Sequence, residues 1–185
     1  MKPKIAGIIL FLSFMAIIPI SITNFDNDDK RKFTDNTNNE NIKIAHIVSS
    51  FYKENYTDET IKALAIICTN NYSIKPQNAK INNDSEDKFN HILKIVESVK
   101  KYNLYYNNKT VYIPFSNTST GTTLTDDRYN YIRPVASPWD IYSNYYNKRN
   151  NCIGVSIEGV NYLCKDGSSA EEALQWYLPD FKITE

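Results

Sequence analysis

Histidine and cysteine are scarce in this chain, whose 185 residues include only two histidines, His46 and His91, and three cysteines, Cys68, Cys152 and Cys164. Neither histidine lies near a cysteine or a carboxylate cluster at ligand spacing, which argues against a zinc site. No sequence feature calls for any other cofactor. An odd cysteine count permits at most one disulfide within the chain. Cys152 and Cys164 are the pair an oxidising compartment could join, but their separation fixes no geometry and the question stays open. Cys68 stands in an apolar helical run and reads as a buried, inert thiol. Charge excess is missing too: 21 basic residues face 21 acidic ones, with no long block of one sign. Nucleic-acid binding dominated by phosphate contacts is therefore not expected. No internal repeat is visible, and the length leaves room for one domain plus a targeting segment.

What is present first is an address. Lys2 and Lys4 precede Ile5 to Ile22, an uncharged stretch dominated by Ile, Leu, Phe, Met and Ala. At the helical rise per residue it would extend about 27 Å, enough to cross the hydrocarbon layer. Positive charge ahead of it and none directly behind orients the N-terminus inside and the remainder outside. Ser21-Ile22-Thr23-Asn24 offers no small-x-small cleavage site and no lipobox cysteine follows, so residues 1–22 are expected to stay as a membrane anchor rather than leave as a signal peptide. Cleavage would give a secreted domain instead. Residues 23–41 are rich in Asn, Asp, Lys and Thr, with Phe25 and Phe33 as the only large apolar groups, and read as a flexible tether.

The remainder, residues 42–185, reads as a single α+β domain. Ile42 to Tyr52 fits either a strand or a first helix. Thr57 is placed to cap a helix with Asp58 and Glu59 in its first turn. Ile61, Leu64, Ala65, Ile67 and Cys68 fill most of that helix's circumference, which predicts a central, nearly fully buried element. Asn70, Asn71 and Pro76 are expected to end it. A second helix is predicted from Asp84 or Ser85, with Phe89, Ile92, Val96 and Val99 on one stripe and Lys100 and Lys101 closing it. Leu104 to Phe115 reads as a β-hairpin turning at Asn107-Asn108-Lys109. Ser116 to Thr125 is a polar loop. Ile132 to Val135 and Ile153 to Ile157 are strand candidates, and Ser137-Pro138-Trp139-Asp140 a turn. A short helix over Gly159 to Lys165 is stopped by Asp166-Gly167. Ser169 with Glu172 forms a capping box that opens a last helix to about Tyr177.

Four stretches, in order and at matching spacing, resemble the stage II sporulation protein D family. Glu59-Thr-Ile-Lys-Ala-Leu-Ala-Ile-Ile-Cys68 is similar to that family's EALKAQAVAA helix. Pro114-Phe-Ser-Asn-Thr-Ser-Thr-Gly-Thr-Thr123 resembles its aromatic-then-SSGGxT loop. Tyr131-Ile-Arg-Pro-Val-Ala-Ser-Pro-Trp-Asp140 is close to YLxxVxSPWD. Ile153-Gly-Val-Ser156 through Gly159, Lys165, Gly167, Glu172 and Trp176-Tyr177-Leu-Pro179 tracks its GVGMSQYGA…G…EILxHYYP ending. The set covers Asn41 to Ile183, and the family also begins with a membrane anchor. The resemblance implies that family's fold and a setting in peptidoglycan remodelling or sporulation. It also implies partners: glycan strands, or a cell-wall hydrolase such as the sporulation amidase.

The departures bear on chemistry. The family's catalytic glutamate, in an EMP motif eight residues before the EALKA glutamate, falls on Phe51. Its arginine falls on Thr69, its GHGVGMSQ histidine on Asn151 and the glutamine on Ile157. Cleaving a glycan β-1,4 bond needs a carboxylic acid to protonate the leaving oxygen and then act as base. Such help is typically worth ~10²–10⁴ in rate, and phenylalanine cannot supply it. A catalytically inactive protein is the expectation. Glu54, one helical turn downstream, is the first candidate for a stand-in acid, and with it the chain would be an active lytic transglycosylase. Glu59 reads as serving a helix N-terminus. A candidate ligand groove comprises Phe51, Thr118, Ser119, Gly121, Thr123, Trp139, Asp140 and Ser156, with Thr122 nearby; Ser156 has no histidine to activate it as a nucleophile. Phe51, Tyr52 and Tyr56 form either a plug in the old cleft or a docking patch. Without the family, the chain would be an anchored extracytoplasmic binding module unrelated to wall cleavage.

Overall fold

The computed structural model describes residues 39–77 and 85–185. The expected anchor over residues 5–22, most of the tether and Asp84 lie outside the described residues. Among the described residues, no helix is long and apolar enough to cross a membrane. Asn41–Glu185 is one compact unit of mixed α+β structure.

The first helix, α1, spans residues 39–51. Its start lies inside the span expected as tether. Asn41, Ile44, Ala45, Val48 and Ser49 are the buried positions. That i, i+3, i+4, i+7, i+8 spacing is a helix stripe, whereas a strand would bury alternate residues, which decides the ambiguity in this segment. The second helix, α2, runs Asp58–Ile74 behind Thr57, whose hydroxyl accepts from Thr60 N at 3.2 Å. It is buried nearly all round, from Thr60 and Ile61 to Asn70, Asn71 and Tyr72, and packs against three later helices as well as a strand.

Asn70 and Asn71 do not stop this helix, as their usual preference for caps and turns had suggested. Their amides are occupied elsewhere: Asn71 Nδ2 donates to Ile113 O at 2.7 Å while its Oδ1 accepts from Ile113 N at 2.7 Å. Asn70 Nδ2 donates to Val111 O at 2.9 Å. A side chain engaged with a neighbouring backbone no longer competes with its own helix. The same bonds shorten the hairpin. Strand β1 (Asn103–Tyr106) pairs with β2 over only Lys109–Thr110, because the chain beyond leaves the ladder for the asparagines of α2. Asn107 and Asn108, at φ 49° and 59°, make the turn, which matches the two-residue hairpins that favour this backbone.

Helix α3 is Glu86–Ser98, capped by Ser85, with Ile92, Val96 and Val99 inaccessible to solvent. Lys100 and Lys101 fall past its end rather than in its last turn. Downstream, Phe115–Ser116 (β3) and Val155–Ser156 (β4) form a parallel pair. Ile132 to Val135 is not a strand; its loop attaches by a single bridge between Thr122 and Ala136 and by Val135 backbone bonds to Thr123. The candidate strand Ile153 to Ile157 is cut short because Ser156 caps helix α4 (Ile157–Lys165). Gly154, at φ +79°, presses on Pro114 O so closely that a Cβ would clash. The Ser169–Glu172 capping box opens α5 (Ala170–Tyr177) with both of its bonds formed. Glu59 reaches across from α2 to accept from Ala170 N at 2.7 Å, so it does serve a helix N-terminus, that of α5. A last strand, β5 (Lys182–Thr184), closes the other edge of β1 and was not legible from its three residues.

The Asn71 amide satisfies both backbone groups of Ile113, and leaving two buried groups unpaired costs about 1–3 kcal/mol each. Asn71→Ala is therefore expected to destabilise the domain by about 2–5 kcal/mol, read as a lower urea midpoint. Glu171 supplies a second test. Burial raises its pKa, but bonds from Tyr102 and Lys62 outweigh that and lower it from an ordinary 4.5 to about 2. A lowered folded-state value stabilises above about pH 4.5, and that contribution is lost as pH falls toward 2. Between these pH values wild type should lose more stability than Glu171→Gln; parallel acid limbs would contradict the assignment.

Candidate functional site

Phe51 ends α1, half-buried, with its ring edge-on to Phe115 at 4.9 Å and 67°. Together with Ile47, Cys68, Tyr72 and Tyr112 it lines a pocket of about 150 Å³, to which Asn71 and Gln77 add their amides. None of the lining residues carries a carboxylate. Burial pushes the Cys68 thiol up to about 12, so it is not a nucleophile at neutral pH. Glu54 sits exposed on the turn after α1 and is not among the residues facing this pocket. Of the other positions where the motifs depart from the resemblance, Thr69 is half-buried with its Oγ1 unpartnered among the described residues, Asn151 is exposed, and Ile157 is fully buried.

The polar loop turns three of its side chains inward and leaves Thr122 exposed. Thr118, Ser119 and Thr123 are all inaccessible to solvent. Asn150 Nδ2 donates to Thr118 Oγ1 at 2.6 Å, Ser119 Oγ accepts from Gly121 N at 3.2 Å, and Thr123 Oγ1 accepts from Val135 N at 2.8 Å. Asp140, 1% exposed, accepts from Ser119 N at 2.7 Å and anchors the loop to the 3₁₀ turn Pro138–Tyr142. Gly121 has φ +101°, a conformation that suits glycine. These groups build a rigid wall, and their hydroxyls are already occupied. Ser156 is likewise buried, spending its hydroxyl on Gly159 N. All three cysteines are buried free thiols.

Trp139 belongs to a different assembly. Its Nε1 donates to Tyr177 OH at 3.2 Å, and Tyr177 OH also bonds Ser137 Oγ at 2.6 Å. Burial raises the Tyr177 phenol pKa well above its ordinary value, so it stays a neutral partner. Gly159 makes this arrangement possible, since a Cβ there would stand 2.6 Å from Ser137 Oγ and 2.7 Å from Trp139 Nε1. The outer face of Trp139 lies parallel to Tyr162 (centroids 5.1 Å, interplanar 2°), with Trp176 5.7 Å away.

Trp139 and Tyr162 form one wall of a second pocket, about 190 Å³, completed by Tyr142, Tyr145, Asn55 and the carboxylate of Glu158. Glu158 is 7% exposed in the first turn of α4. Its Oε1 accepts from Lys53 Nζ at 2.8 Å and Tyr56 OH at 2.9 Å, and its Oε2 from Ser143 Oγ at 3.1 Å. Lys53 Nζ also stands 3.2 Å from the Tyr145 ring centroid, a cation–π contact. Burial, with Glu158 beside it, raises the Tyr56 pKa well above its ordinary value. Tyr56 and Lys53 therefore belong to this cluster, while Phe51 belongs to the other pocket. Sequence reasoning missed Glu158, because a glutamate in a first turn is already explained by the helix dipole. Its partners come from positions 102 and 105 residues away.

Compared with models of protein families and with curated proteins, the chain matches none of them. The family expectation thus rests on the four ordered motifs alone.

A buried ion pair that loses one partner typically costs 3–5 kcal/mol. Lys53→Met should lower stability by about 3 kcal/mol in urea, and adding Glu158→Gln should recover part of it. Strictly additive losses would show that Lys53 and Glu158 do not act as a pair.

Proposed function

We propose that this chain is a divergent, non-catalytic relative of the stage II sporulation protein D family. It is held to the outer face of the membrane by residues 5–22 and acts in peptidoglycan remodelling or sporulation by binding glycan strands. The observation that carries the reading is the surroundings of Phe51. Where the resemblance calls for a catalytic acid there is a phenyl ring, packed on Phe115 in a pocket whose lining holds no carboxylate. A proton donor at that place would need a neighbouring acid, and Glu54 is exposed on the turn after α1 and does not line the pocket. Glu158 is buried and accepts three hydrogen bonds, which suits a structural acceptor better than a group exchanging protons with substrate. A wall-hydrolase partner such as the sporulation amidase is part of the same proposal, implied by the family and compatible with a protein that binds the wall without cutting it.

The test is product analysis. Purified glycan strands incubated with the full-length chain in mild detergent should show no 1,6-anhydro ends above background. Anhydro ends that appear with wild type and vanish with Glu54→Gln would overturn the non-catalytic reading.

A further inference from the structure

We propose that the cleft between Trp139, Tyr162 and Glu158 is a binding subsite for a β-linked pyranose chain, with Trp176 and Tyr142 extending its apolar face. The proposal rests on the glycan-binding reading for its biological ligand and on the cleft's own chemistry for its place. A pyranose ring presents a flat C–H face and a rim of equatorial hydroxyls, so it needs a stacking surface bordered by fixed polar groups. Tyr162, 51% exposed, supplies the surface, its ring held in place by stacking on Trp139, with Trp176, 46% exposed, beside Trp139. Aromatic side chains give such area at low entropy cost because few torsions must be fixed. Their orientation is set in advance, Trp139 by Tyr177 OH and Trp176 by its Nε1–H bond to Ala136 O at 2.9 Å.

The rim is supplied by Glu158, Asn161 and Asn55. An ionised carboxylate has about four acceptor positions, and Glu158 uses three, on Lys53, Tyr56 and Ser143. One position on Oε2 is left for a sugar hydroxyl. Asn161, 3% exposed, spends its carbonyl on Thr60 Oγ1, which leaves its Nδ2–H donors without a protein partner among the described residues. A buried acceptor and a donor open to the cleft thus border the same rings, an arrangement typical of small-molecule sites.

Other ligand classes fit less well. Lys53 is bound to Glu158, which leaves exposed Lys165 beside the Glu158 carboxylate as the cation on the cleft's lining, too little positive charge to hold a phosphate or an acidic peptide by itself. Its walls come from the turn at Asn55, the 3₁₀ segment and α4, none of which offers a strand edge for peptide pairing. Sequence motifs had drawn attention to the Phe51 side and the polar loop, yet Thr118, Ser119 and Thr123 of that loop are buried, and the Phe51 pocket shares no lining residue with this cleft.

The probe is chitotetraose, titrated into the full-length chain in mild detergent and followed by tryptophan fluorescence. Saturable binding is expected, weakened about tenfold by Tyr162→Ala and unchanged by Phe51→Ala. Tyr162 is half-exposed, so its loss should not unfold the domain, and Asn55→Ala provides a second exposed variant expected to weaken binding. No saturable binding, or equal affinity in wild type and Tyr162→Ala, would overturn the subsite, as would tighter binding of an aromatic peptide than of the saccharide at the same cleft. Sedimentation with insoluble peptidoglycan separates this result from the wider reading. Retention of wild type and Tyr162→Ala alike would sink the subsite and leave wall binding standing. Chitotetraose binding that depends on Tyr162, without retention on peptidoglycan, would keep the subsite and sink the wall setting.

Discussion

The structure depends on a helix with almost no solvent face. Helix α2 is buried from Thr60 to Tyr72 except at half-buried Lys62 and Thr69, so every neighbouring element must cover part of it. Burial of that kind is favourable only if the polar groups it traps are satisfied. At the N-terminal end Thr57 caps its own helix, and Glu59 spends its carboxylate on the first amide of α5. Toward the C-terminal end Asn70 and Asn71 act as a substitute strand edge for Val111 and Ile113. These bonds fix where α5 begins and where the hairpin ends, and both pockets follow from that placement.

On one side α2 presents Cys68, Asn71 and Tyr72 to the pocket that Phe51 and Phe115 close. The interior there is aromatic and amide-lined, well suited to packing and poor in groups that could move a proton. Toward the start of the helix, the Lys53–Tyr56 segment leads into Thr57 and engages Glu158 on α4. That interaction brings a buried carboxylate beside a row of partly exposed rings. The two environments account for a protein that resembles a wall-cleaving family in its motifs and is proposed to bind rather than cut. The polar loop resembling SSGGxT keeps its architectural part, since Ser119 and Asp140 lock it against the 3₁₀ turn that carries Trp139.

Local signals were readable in the sequence. Thr57, the Ser169–Glu172 box and the Asp166-Gly167 stop each act within a few residues, and each stands where the chain predicted. Signals that depend on distant partners were not. Asn70 and Asn71 look like a helix terminator until Val111 and Ile113 arrive from 41 and 42 residues away. Strand β5 is three residues long and exists because β1 has a free edge. Thr118, Ser119 and Thr123 look like ligand hydroxyls in a polar loop, but the fold turns them inward. Glu158 reads as an ordinary first-turn acid, and only tertiary contact gives it Lys53, Tyr56 and Ser143. Trp139 was visible as a candidate; its companions Tyr162 and Trp176 come from two further helices and were not.

If the proposed subsite is right, a glycan meets the protein at the Glu158 cleft and leaves the Phe51 pocket untouched. The most direct measurement of that division is a map of backbone amide NMR shifts on adding chitotetraose. Perturbations concentrated at Asn55, Trp139, Asn161 and Tyr162, with Ile47, Phe51 and Tyr112 unmoved, are the predicted result. Shifts centred on Phe51 and Tyr112 would contradict it.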